Sequence, residues 1–401
     1  MVFFGLMIVL LLLLPKTILP QNVIAILPEL SQRSFHIPVQ FSLEHESLKF
    51  NQRVTLFHLD HPVPMILLHS YHRGNITLVN EISYLQLNSD NYSVSLGRKY
   101  VSSGPTRINA TLFSAYAPAL DQFAFHYYGF QKLEYEYRLI RLDNRQHDLG
   151  SFNRWLYYRR VSLELGKDLV LGFKEAVVAT GLHRGIDLKY MNPAALYQLE
   201  QLHDNVRDRV TGSNNDNQFL GIDLEYDLKE NLKIYLDIIV DDFQVDIADR
   251  EHVQDVFGST IGIEKSSSEG ILGFEYYFAS PWLYTNGGMF ANLEIQSKSL
   301  GHRSPQSHGV SIVYNKRIQK LIYDLQVSVY QTGSQTVSTT WNSIDNYTHF
   351  YDFESQWKPE INLRFYFTEN QYFDEIRLTY DFLESNGFYF LIRLKLLDWV
   401  K

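Results

Sequence analysis

The chain has 401 residues, including 27 Tyr and 26 Phe, a net charge of -9 and no cysteine. A mean hydropathy of -0.20 excludes a polytopic helical membrane protein, and the missing thiols exclude disulfides, thiolate metal sites and cysteine nucleophiles. The acidic balance, with no Lys/Arg cluster, argues against nucleic acid as a partner.

Val2 to Leu14 form a continuous apolar run. It is shorter than the roughly 20 residues a spanning helix needs, and it has the length of a secretory apolar region. Residues 1–20 are therefore expected to be a signal peptide, and 21–34, which lack periodicity, a periplasmic lead-in. From Phe35 onward the dominant period is two, the strand signature. Leu232, Ile234, Leu236, Ile238 and Val240 share one face, opposite Lys233, Tyr235, Asp237 and Asp241. The same alternation runs through 361–367, 375–382 and 388–396.

Segments of about 9–11 residues, apolar on one face and charged on the other, suit a transmembrane β-barrel with lipid outside and water inside. Closure removes the edges that lipid could not satisfy. A soluble β-sandwich would turn the polar face to solvent instead. Aromatics near strand ends (Trp155, Tyr157, Tyr158, Tyr276, Tyr277, Trp282, Tyr284, Trp399) read as interfacial girdles and favour the barrel. The expected fold is all-β: an antiparallel transmembrane barrel over 35–401, with about 16–18 strands and short helical insertions.

Turn parity orients it. Gly166-Lys167-Asp168 and Leu228 to Asn231 read as tight turns, so 142–154, 180–216 and 242–269 leave at the opposite end. Ser280-Pro281, 316–319 and 369–372 continue the tight-turn end, while 298–307 and 331–357 join the long-loop end. Long loops face outward and short turns face the periplasm. The expected outer loops are therefore 142–154, 180–216, 242–269 and 331–357. Within the second, Pro193 to Leu202 reads as a short helix, with Asn192-Pro193 as its start.

Chemistry-bearing clusters are weak. His183, Arg184, Asp187 and Glu175 lie close in sequence, and Ser304, Ser307, His302 and His308 could supply a hydrolase site, but no nucleophile elbow accompanies them. Asp237, Asp241, Asp242, Asp246 and Asp249 lack the glycine-punctuated spacing of a calcium loop and read as an acidic rim. No zinc or iron spacing is present. No catalytic residue, metal or cofactor is assigned. Trp341, Tyr347, Tyr351 and Trp357 have the aromatic composition of a glycan-binding loop, and equally of a loop that packs on itself.

Four stretches carry a resemblance. SLGRKYVSSGPTRINATLFSAYAPALDQF (95–123) resembles the strand, glycine turn and strand of the Wzi-type capsule assembly outer-membrane proteins. RRVSLELGKDLVLGFKEAVVATGLHRGIDLKYMNPAALYQLEQLHDN (159–205) is similar to that family's central block, and DNQFLGIDLEYDLKENLKIYLDIIVDDFQVD (216–246) continues it through the Asp241-Asp242 pair. SLGHRSPQSHG (299–309) resembles a later Leu-Gly-His loop. The resemblance implies a monomeric barrel of about 18 strands in the bacterial outer membrane. It would bind capsular or other surface polysaccharide and help attach or assemble it, as a lectin and not as an enzyme. Its partners would be that polymer, outer-membrane lipid and the barrel-assembly machinery.

Candidates for glycan contact or for a lumen plug are Arg184, Asn192, Tyr197, Asp241, Asp242, Trp341, Tyr347, Tyr351 and Trp357. The alternatives are a diffusion porin, with charged inner face selecting solutes, and an outer-membrane esterase or phospholipase. The face assignment predicts that Arg at Leu236 or Ile238 costs about 2–4 kcal/mol at mid-membrane, and that Arg at Asp237 is far milder.

Overall fold

The computed structural model describes residues 23–26, 29–30, 34–59, 70–73, 76–193, 195–197, 216–229, 231–242, 255–285, 290–295, 297–319, 321–338, 357–367, 373–381 and 387–394. One antiparallel sheet of 21 strand segments dominates. Ser70–Arg73 and Arg145–His147 only extend a neighbour, and Val23–Ile26 and Glu29–Leu30 are two halves of one strand, which leaves 18 wall strands. The ring closes through that interrupted strand. Ile26 pairs with Leu394 and Glu29 with Leu391 on one side, while Val23 to Ile26 pair with Ser42 to Val39 on the other. Residues 23–26 and 29–30 are thus wall and not lead-in. Closure comes from the partners on the Gly387–Leu394 side, hundreds of residues away, which a local period cannot reveal.

The wall sorts its side chains by alternation. In Asn217–Lys229 and Leu232–Asp242, Phe219, Asp223, Tyr235, Asp237 and Ile239 are buried on the concave side. Ile222, Ile261, Ile263, Leu272, Phe274 and Ile312 stand on the convex side, with Ile222 49%, Ile261 51% and Leu272 50% exposed. Such a continuous apolar belt would be a liability in water and is what lipid requires.

The short connections 46–47, 89–91, 131–132, 166–168 and 268–269 lie at one end, and the long ones at the other. Three expected boundaries change. Gly150–Leu165 is strand, so only 142–149, with a short Arg145–His147 extension, remain of the loop placed at 142–154. Val256–Ser267 is a strand as well, turning at 268–269, so the loop placed at 242–269 shrinks to 243–255. Its inward residues include Gly258, Thr260 and Gly262, which erased the apolar alternation. Ser280-Pro281 begins a long excursion and is no tight turn, because Gly270–Ala279 reaches the long-loop end and the next wall strand starts only at Ser307. Of the expected tight turns at 316–319 and 369–372, the first is the end of Ser307–Ile318 and the second lies outside the described residues.

Candidate functional site in the plugged lumen

Two of the long connections fold back into the barrel. The first, 100–119, touches the concave side of strands all around the wall. Its Ser103 bonds Glu136 and Tyr158, Thr111 bonds Asp237, Asn109 bonds Glu275 and Ser311, and Tyr116 reaches Ser328. The second, 280–306, packs on the first. Ser114 N–H donates to the Leu300 carbonyl at 3.0 Å, and the Tyr284 hydroxyl donates to the Thr111 carbonyl at 2.6 Å. Val101, Leu112, Phe113, Trp282, Leu283, Tyr284, Leu293 and Leu300 join inward wall residues such as Leu156, Phe219 and Ile239 in one dry cluster. The outer part of the lumen is a packed core.

Buried acids of the wall hold the first loop by its backbone. Glu275, 1% exposed, accepts from the N–H groups of Arg107 at 2.6 Å, Ile108 at 3.2 Å and Asn109 at 2.9 Å. It also accepts from the Asn109 side-chain amide at 2.9 Å and the Tyr235 hydroxyl at 3.0 Å. Asp237, fully buried, pairs with Lys174 and accepts from the Thr111 N–H at 3.0 Å and its hydroxyl at 2.9 Å. Loop N–H groups left without helix or sheet partners must find acceptors, and these carboxylates serve that need. Arg107 of the loop in turn forks onto Glu264.

The second loop is fastened by arginines. Arg154, fully buried, donates to the carbonyls of Phe290 and Asn292 and pairs with Asp143 at 2.5 Å. Arg303 lies between the rings of Tyr116, 3.6 Å away, and Tyr330, 4.3 Å away, and pairs with Glu360. A planar, weakly hydrated guanidinium suits such a stacked, desolvated position. His302 stacks on Tyr277 with ring centroids 5.0 Å apart, and neither ring nitrogen has a hydrogen-bond partner among the described residues. Burial, with the Lys174 ammonium adding to it, pushes this imidazole down to about 3.

Gly258 makes room for the loop, since a Cβ there would lie 2.6 Å from Leu283 Cδ2 and 3.1 Å from the His302 ring. Gly97, within the strand Tyr92–Lys99 just before the first loop, has φ +121°, and a Cβ would sit 2.2 Å from the Ser83 carbonyl oxygen. Only glycine adopts that geometry without strain.

The segment after Leu182 goes elsewhere. Trp155, Tyr157 and Arg159 alternate with the inward Leu156 and Tyr158, so they lie on the convex side. Over them folds a flap that includes a 3-10 turn at Leu188–Met191. Trp155 Nε1–H donates to the Arg184 carbonyl, the Asp187 N–H donates to the Tyr157 hydroxyl, and Tyr190 and Tyr197 are fully buried against the wall. Beneath it Arg159 pairs with Glu175 and lies over the Tyr197 ring at 4.3 Å. Arg184 pairs with Asp187 and Asp216 and ties the flap down. Ile186, Leu188 and Leu196 face outward. The flap therefore continues the apolar belt over a charged pair that lipid would not tolerate. The expectation that 180–216 plugs the lumen or stays at the outer end is corrected for its described part. The expected helix from Pro193 is described only as far as Tyr197.

The predicted site residues do not converge. Arg184, Asn192 and Tyr197 belong to the flap. Asp241 accepts from the Tyr284 N–H at 2.6 Å and so anchors the second loop, and Asp242 ends its strand at a bulge. Trp357 is 49% exposed beside His308 and Tyr276 on the convex side, the place of an interfacial girdle and not of a lumen site. Trp341, Tyr347 and Tyr351 lie outside the described residues, as do Asp246 and Asp249. Tyr158, Tyr277, Trp282 and Tyr284, expected in the girdles, are buried inside, because aromatic residues fill a lumen as readily as they mark an interface. Trp399 is outside the described residues. His302 and His308 fall on opposite sides of the wall, and the Ser307 hydroxyl is spent on the Ser304 carbonyl at 2.6 Å, so the hydrolase cluster does not assemble. Asp237 is no tolerant lumen position, since Arg there would meet Lys174 in a closed site.

The sequence itself matches no family model and no curated protein. Solved structures do match. Wzi of Escherichia coli, an outer-membrane protein involved in group 1 capsule assembly and described as a carbohydrate-binding β-barrel, superposes with a TM-score of 0.65 at 11% identity, over 94% of this chain and 85% of that one. The fold is that of a bacterial outer-membrane β-barrel. Two Pseudomonas aeruginosa barrels, OccD3 and OpdK, align at TM-scores of 0.43 and 0.45 with 11% and 10% identity, over 94% and 93% of this chain and 90% and 96% of theirs. With its convex apolar belt, the chain resides in the bacterial outer membrane.

Proposed function

We propose that this barrel is a non-enzymatic protein that binds surface polysaccharide and helps attach or assemble it outside the outer membrane, acting as a monomer. The observation that carries the reading is the filled lumen. Two loops occupy the outer half of the barrel with a shared apolar core and buried ion pairs, whereas a diffusion porin needs a wet, continuous path. A barrel built in this way offers its long-loop end as a surface and not as a pore. The likeness in fold to a carbohydrate-binding barrel supports the same reading. The proposed polymer contacts are in the 331–357 connection, with Trp341, Tyr347 and Tyr351, where aromatic faces suit sugar rings.

The test is glycan-array binding by the detergent-solubilised protein, repeated after Trp341→Ala, Tyr347→Ala and Tyr351→Ala. Polysaccharide binding that falls at least tenfold in the triple variant supports the reading. Absence of any glycan binding, together with a large steady single-channel current in planar bilayers, would replace it with the porin.

A further inference from the structure

Below the plug, at the short-turn end, the lumen holds a cavity of about 690 Å³. Its roof is the underside of the first loop, with Tyr100, Arg107 and Ala115. Its wall includes Arg53, Arg364, Asp324, Asn315 and Gln326. Asn315, Asp324 and Arg364 sit in one cross-strand row, Asn315 opposite Asp324 and Asp324 opposite Arg364. That row is three residues from the turn-side ends of Ser307–Ile318, Leu321–Thr332 and Lys358–Phe367. The cavity therefore faces the periplasm and ends blindly against the plug.

Its lining carries three guanidinium groups and one carboxylate. Arg107 holds Glu264 through Nε and Nη2, which fixes its plane and leaves Nη1 outside that pair. Arg53 reaches Glu81 at 4.0 Å and has further contacts, and Arg364 lines the same recess. Guanidinium forks lining one recess are suited to bidentate capture of a carboxylate or phosphate. Tyr100, 52% exposed, supplies an aromatic surface beside them, and Asn315 and Gln326 supply amides. The volume falls within the roughly 300–1,000 Å³ of small-ligand sites.

We propose that this chamber is a binding site for a sugar bearing an oxyanion, a carboxylate or a phosphate, entering from the periplasm. The proposal goes beyond the surface reading and does not depend on it: the two sites are at opposite ends and use different residues. Arg107, Arg53 and Arg364 grip the anion, and Tyr100 packs against the ring.

The experiment is isothermal titration of the full-length detergent-solubilised protein with glucuronate, glucose 6-phosphate and glucose, at low and at physiological salt. Glucuronate or glucose 6-phosphate should bind while glucose does not, and the comparison between the first two tells carboxylate from phosphate. Arg364→Gln should weaken binding about tenfold and Arg53→Gln/Arg364→Gln should abolish it, with near-ultraviolet circular dichroism confirming that the plug still packs. Raising the salt should weaken binding as well. Failure of both anions to bind, equal binding of glucose, or undiminished binding in the folded double variant would overturn the proposal. Undiminished polymer binding in the Trp341→Ala/Tyr347→Ala/Tyr351→Ala variant, or no polymer binding at all, with chamber binding intact would sink only the surface reading.

Discussion

Asp237 shows what a buried charge does in this lumen. It satisfies Lys174 and two groups of Thr111 at once. Removing one partner of a buried pair strands the other, which costs about 3–5 kcal/mol, whereas replacing both with apolar groups is often neutral. Asp237→Ala is therefore expected to lower the urea midpoint of the folded barrel markedly, and Lys174→Met/Asp237→Leu to recover most of it. His302 sets a pH dependence in the same region. Its imidazole titrates near 3 in the fold and near 6.5 when unfolded, so the unfolded chain binds the proton first. The stability it contributes is present above about pH 6.5 and is lost as pH falls toward 3. Melting of the near-ultraviolet signal measured between pH 7 and 4 should fall more steeply in the wild type than in His302→Leu, and parallel slopes would refute the assignment.

At the scale of strands, alternation decides which substitutions reach lipid. Ile238 is on the convex side, between the inward Asp237 and Ile239. Ile238→Arg should impair assembly by about 2–4 kcal/mol near mid-membrane, read as loss of heat-modifiable mobility after refolding into vesicles. The flap gives a second test. Tyr190→Ala/Tyr197→Ala removes the cover from Arg159 and Glu175, so a charged pair would face lipid. Refolding yield should drop, and Arg159→Leu/Glu175→Leu in the same background should restore it. Recovery would show that the flap's task is to hide those charges. The strands themselves were legible from period two, and the sequence boundaries failed where the inward face is small. Val256–Ser267 was missed because Gly258, Thr260 and Gly262 leave room for a neighbour that no local pattern announces.

For the whole molecule, the plug governs permeability. Deleting 103–117 removes the loop that Glu275 and Asp237 hold, and is expected to convert a quiet barrel into a conducting one in planar bilayers. An unchanged baseline would mean that the 280–306 loop seals the lumen alone.

The sequence by itself determined the barrel class and the inner and outer faces of most strands, because the side-chain period of a strand is local and lipid imposes a sharp apolar demand on one face. Tertiary structure decided everything that depends on where a long connection goes. The 100–119 stretch reads as an ordinary strand–turn–strand, yet it becomes the plug because Glu275 and Asp237, more than a hundred residues on, satisfy its backbone. The 183–197 stretch, with Arg184, Asn192 and Tyr197, reads as a plug and instead covers the outside, because Arg159 and Glu175 point there and must be hidden. Residues 23–26 and 29–30 carry no period and still close the ring, since one set of their partners is the last described strand, Gly387–Leu394. In each case the deciding partner lies on another element, beyond the reach of a local period.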